Sequence, residues 1–122
     1  MFRKYGLAAA LLLAGAVPAF ADDTCQAPPV PVAVDGNTAT TDQMKAAIGA
    51  FNAYSKASDA YQQCVGDYIT AQNAAADKDK KAHDAAMIQS EGDKVTANQD
   101  SKTKAGTDLN AAIGLYKKAH PG

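Results

Sequence analysis

His83 and Met87 stand four residues apart, with Asp79 and Asp84 beside them. On one helix face an imidazole and a thioether at that spacing can share a soft metal such as copper. Two ligands do not complete a site, so His83 and Met87 are candidate metal residues; the plainer reading is a surface histidine beside a core methionine. Cys25 and Cys64, the two cysteines of the chain, can form a structural disulfide, pair between molecules or cycle as a redox couple. They are not arranged as C-x-x-C, the spacing that redox catalysis uses. Tyr54, Tyr61 and Tyr68 recur at seven, which on a helix makes an aromatic stripe. Such a stripe can stack on a ligand such as a sugar or polyphenol, but at helical spacing it reads first as core. His83 and His120 are the only histidines, and the chain has no G-x-S-x-G, P-loop, Rossmann glycine run or H-E-x-x-H motif. The sequence therefore predicts neither an enzyme nor a cofactor.

The elements that must hold these residues begin after a leader. Residues 1–21 read as a cleaved signal peptide: Arg3 and Lys4, an apolar run over 7–17, then Ala19-Phe20-Ala21 ahead of Asp22. The run is shorter than the ~20 residues a bilayer span requires, so no stable membrane anchor is expected after cleavage. Cys25 raises the rival reading of a lipoprotein signal, but Asp22-Asp23-Thr24 is not the small, apolar approach lipidation needs. Losing Arg3 and Lys4 leaves 10 of the 12 basic residues against 13 acidic ones, a net charge of −3. Basic and acidic residues are interspersed, and even the lysines at 78, 80 and 81 alternate with Asp77, Asp79 and Asp84. No cationic stripe for nucleic acid results.

Residues 22–39 read as an extended arm in which Pro28, Pro29 and Pro31 favour polyproline II, with a turn at Asp35-Gly36. Thr40-Thr41-Asp42-Gln43 is a capping box, which predicts helix 1 over 40–76. Met44, Ala47, Ile48, Phe51, Tyr54, Ser58, Tyr61, Val65 and Tyr68 lie on one broad face of it. Tyr61 and Tyr68 lean towards Cys64, while Ile48 and Ile69 lean the other way, so two neighbours are expected. A break near 75–79 predicts helix 2 over 79–118 with Asp79 as a possible cap; the alternative break is at Gly92-Asp93. In helix 2 a coiled-coil-like seam runs through Ile88, Val95, Lys102, Leu109 and Tyr116, with a companion row at Ala85, Gly92, Gln99, Gly106 and Ile113. The predicted fold is all-α: an antiparallel helical hairpin with the N-terminal arm tethered by one disulfide. Large apolar residues are few, so a thin assembly is expected, and self-association into a four-helix bundle would thicken it.

Arm length supports the Cys25–Cys64 pairing. Cys64 sits about 36 Å along helix 1 at 1.5 Å per residue. The fifteen residues from Cys25 to Thr40 span about 46 Å as polyproline II. The arm can therefore run back along helix 1 over the tyrosine flank, Tyr54, Tyr61 and Tyr68. Closing a loop of about 39 residues contributes up to ~4 kcal/mol in the chain-entropy model.

Cys25-x-x-Pro28-x-x-Pro31, Asp35-Gly36, Met44-x-x-Ala47, Tyr54 and Tyr61-x-x-Cys64 together resemble a group of small exported proteobacterial proteins. The resemblance covers about residues 25–64, with His83-Asp84-Ala85-Ala86 as a further point of likeness. It implies export, a disulfide and a helical hairpin, and no activity. The functional expectation is a non-enzymatic exported, periplasmic structural or protein-interaction protein, acting on itself or on another envelope protein. The alternative is a periplasmic small-ligand or copper-type binder.

Overall fold

The chain becomes helical where its capping box stands. Gln43 N–H donates to Thr40 Oγ1 at 3.1 Å, and Thr40 N–H donates to Gln43 Oε1 at 2.8 Å. Asp42 lies in the first turn, where the helix dipole favours negative charge. The computed structural model describes residues 25–122. The predicted signal peptide at 1–21 and residues 22–24 of the arm lie outside the described residues. Two helices, α1 (Thr41–Lys78) and α2 (Ala85–Ala119), pack against each other as an antiparallel hairpin with no strand among the described residues.

The helix break falls near residue 79, as expected, but Asp79 plays the opposite part. It is the C-cap of α1, and α2 starts six residues later than predicted. Lys80 N–H donates to Asp77 O at 3.1 Å and Lys81 N–H to Ala76 O at 2.8 Å. These two bonds form a Schellman motif, which requires a left-handed residue just past the cap. Lys80 supplies it with φ 55°. The chain then reverses through 80–84, and the Asp84 carboxylate accepts the Met87 N–H at 3.0 Å to cap α2.

The face of α1 buries Met44, Tyr54, Ser58, Tyr61 and Val65, with Lys45, Asn52, Lys56, Asp59 and Gln63 exposed opposite. In α2 the seam is displaced from the expected rows. Its most buried residues are Glu91, Asn98 and Ala112, which with half-buried Ala105 repeat at seven. Ile88, Val95, Lys102, Leu109 and Tyr116 are half-buried flanks. At the centre of this row Asn98 bonds across the hairpin. Gln62 Nε2 donates to Asn98 Oδ1 at 2.9 Å and to Gln99 Oε1 at 3.0 Å, and Asn98 Nδ2 donates to Ser58 Oγ at 3.4 Å. Lys102 Nζ reaches Asp59 Oδ1 at 2.6 Å, and buried Glu91 pairs with Lys94 at 2.8 Å. The cross-hairpin bonds penalise sliding of one helix along the other, since a slip would strand the buried Ser58 and Asn98 side chains.

At the open end, Ala39, Met44 and Ala112 form a small core with Val34, Ile113 and Tyr116 against it. Thr41 Oγ1 and Tyr116 Oη share a hydrogen bond that ties the start of α1 to the end of α2. Tyr116 and His120 stack with ring centroids 4.2 Å apart. Before α1, Asp35 O accepts the N–H groups of Thr38 and Ala39 at 3.2 and 2.9 Å, and Asp35 Oδ1 accepts the Asn37 N–H at 2.9 Å. This turn presses Gly36 onto α2 so closely that a Cβ there would lie 2.0 Å from the Ala112 carbonyl oxygen. Gly106 likewise faces the Phe51 ring, whereas Gly92 and Gly114 face open space.

Two substitutions test these junctions by chemical denaturation. Gly36→Ala should lower stability by about 1–3 kcal/mol, because backbone on both sides must part. Lys80→Gly should raise it by about 0.5–1 kcal/mol by relieving the left-handed conformation.

Candidate functional site

The arm is the feature that sets this hairpin apart. The Cys25–Cys64 disulfide is formed, with Cα atoms 5.7 Å apart, and fixes one end of the arm to the middle of α1. The Asp35–Gly36 turn fixes the other. Between them the burial pattern has a period of three: Cys25, Pro28, Pro31 and Val34 are half-buried, and every residue between them is exposed. Polyproline II has three residues per turn, so every third side chain points the same way. The spacing Cys-x-x-Pro-x-x-Pro is thus the inward edge of an extended helix lying on its support. The rise agrees. Nine residues from Cys25 to Val34 cover about 28 Å as polyproline II. The α1 residues beside Val34 include Ala46 and Ala47, about 26–27 Å from Cys64 at helical rise.

Where the arm crosses towards α2 it roofs a cleft of about 150 Å³. Residues 30–34 form one wall, Ala47 and Phe51 of α1 the floor, and Ser101, Ala105 and Leu109 of α2 the far side. The Lys104–Asp108 ion pair, 2.6 Å, stands at its rim. The outward edge of the arm stays in solvent: Val32 is 90% exposed and Val30 53%. Among the described residues, no backbone group of 27–34 is hydrogen-bonded to either helix. The cleft, its charged rim and the exposed valines were not singled out in the sequence. The alternation of Pro and Val was the available signal, but it does not say which edge faces out.

The tyrosines divide. Tyr54 and Tyr61 are buried and Tyr68 half-buried. Ala47, Ala50, Tyr54, Tyr61 and Cys64 lie on one stripe of α1, whose two ends meet the arm. Tyr54 and Tyr61 fall between those points along the helix. The Tyr54 hydroxyl is buried with no hydrogen-bond partner among the described residues. Leaving such a group unpaired costs about 1–3 kcal/mol.

His83 and Met87 are not related as the spacing suggested. His83 lies in the connection ahead of the Asp84 cap, outside α2, so the pair does not share a helix face. Its Nε2 instead meets Asp77 Oδ1 at 2.7 Å, with both side chains well exposed, while Met87 is half-buried in the first turn of α2. Among the described residues no three His, Cys, Asp or Glu side chains gather where they could hold one metal ion. No described helix is long and apolar enough to cross a membrane, and disulfides belong to oxidising compartments.

Comparison with family models, curated proteins and solved structures finds no match for this chain. The resemblance of residues 25–64 to small exported proteins stands on its motif residues alone.

Removing the unpaired hydroxyl should help the fold. Tyr54→Phe is expected to raise the stability of the oxidised protein by about 1 kcal/mol, read as a shift in the urea midpoint with unchanged slope.

Proposed function

We propose that this protein is a non-enzymatic structural or protein-interaction module, exported to the periplasm by its leader, whose contact surface is the outward edge of the arm. The observation that carries the reading is Val32, 90% exposed beside half-exposed Val30 on a backbone fixed at both ends. An apolar segment held extended before binding loses little conformational entropy when a partner closes over it. Between the helices polar side chains meet one another, in the Gln62–Asn98 and Lys102–Asp59 pairs, which suits a scaffold. The partner is a second copy or another envelope protein; Ile48 and Leu115, each 39% exposed, enlarge the apolar surface near the open end of the hairpin.

The test uses the mature, oxidised protein as bait in envelope extract, beside a Val30→Ser/Val32→Ser variant. A defined protein retained by the wild type and reduced at least ~10-fold by the variant supports the reading, a loss in line with removing two well-packed apolar contacts. Equal retention by both, or recovery of copper or a small molecule with no protein, contradicts it. Light scattering of the same two samples at high micromolar concentration separates a second copy from a foreign partner.

A further inference from the structure

We propose that the cleft between the arm and α2 is a binding site for a small, neutral, single-ring phenol. Its ring would lie between Phe51 and residues 30–34, with its hydroxyl at the Asp108 carboxylate. The cleft is formed within one oxidised chain, so its occupancy does not depend on the partner surface proposed above.

Size sets the first limit on the guest. The cleft holds about 150 Å³, well short of the roughly 300–1,000 Å³ that drug-sized ligands fill. One ring fits: an engineered apolar cavity of about that volume takes up benzene. Phe51 makes an aromatic ring the better guest than an aliphatic one. Its side chain is half-buried, and a Cβ at Gly106 would lie 3.3 Å from its Cζ. The α2 backbone therefore supports the Phe51 ring on one side while the ring also lines the cleft. An aromatic guest gains offset-stacked or edge-to-face contact with it, which an aliphatic guest does not.

The polar groups set the second limit. Apart from Ser101, Lys104 and Asp108, all on one face of α2, the lining is aliphatic or aromatic. Lys104 Nζ donates to Asp108 Oδ2 at 2.6 Å, so the charges at the rim cancel and no net field draws in an ion. Among the described residues, Asp108 Oδ1 and the half-buried Ser101 hydroxyl have no hydrogen-bond partner. A phenol O–H can donate to Asp108 in a charge-assisted bond, which is stronger than one between neutral groups. A guest carboxylate would meet Asp108 as a like charge. A plain hydrocarbon would fill the cleft and leave the rim unused.

The experiment titrates p-cresol, toluene and p-toluate separately into isotope-labelled, oxidised mature protein and follows the backbone amide resonances. p-Cresol should give saturable shifts at residues 30–34, around Phe51 and across 101–109, with a Kd of about 1 mM. Toluene and p-toluate should bind ~10-fold more weakly or worse. Ala105→Leu fills the cleft from its α2 side and should abolish saturation, with circular dichroism and the urea midpoint reporting that the hairpin is intact. Asp108→Ala, at the exposed rim, should weaken p-cresol ~10-fold and leave toluene unchanged. Shifts that rise linearly without saturating, or that persist in Ala105→Leu, would overturn the proposal. So would p-toluate binding as tightly as p-cresol, or p-cresol binding unchanged in Asp108→Ala.

Discussion

Everything in this molecule is arranged around two rises per residue that differ about twofold. A polyproline II chain advances about 3.1 Å per residue and an α-helix 1.5 Å. A short arm can therefore lie along a helix nearly twice its length in residues, provided both its ends are held. Here they are, by Cys25–Cys64 at one end and Gly36 against Ala112 at the other. Tyr54 and Tyr61 are buried on the length of α1 between those two anchors.

The two halves of the assembly are held by different physics. The helices meet through a belt of paired polar groups around Ser58, Gln62, Asn98 and Lys102, with Val65 fully buried beside it. Hydrogen bonds in such a belt contribute modestly to stability but strongly to register, because a slipped helix leaves them unmade. Over residues 27–34 the arm rests on one apolar edge between a covalent bond and a turn. Direction and register thus reside in the helices.

Much of this was legible in the sequence because the relevant signals are local. Thr40 and Gln43 announce the start of α1, prolines announce the extended arm, and the length of that arm matches the depth of Cys64 in α1. The period-three edge was latent in Cys25, Pro28 and Pro31. The turn between helices was less legible. A Schellman ending usually shows a glycine, and here Lys80 takes the left-handed position, so Asp79 looked like a start when it is a stop. That six-residue displacement also took His83 out of the helix and dissolved its pairing with Met87. The seam of α2 was misplaced for another reason. Periodicity follows large apolar residues, but the most buried positions of α2 are Glu91, Asn98 and Ala112, and the partners of Asn98, Ser58 and Gln62, are distant in sequence and invisible to it.

The central claim is that residues 25–34 form a polyproline II helix with one edge on the hairpin. The most direct measurement is an aspartate scan through 27–34, read as unfolding free energy of the oxidised protein. Losses are expected at Pro28, Pro31 and Val34 and near-neutral values at Ala27, Pro29, Val30, Val32 and Ala33. Losses alternating with a period of two, or spread evenly along the arm, would contradict it.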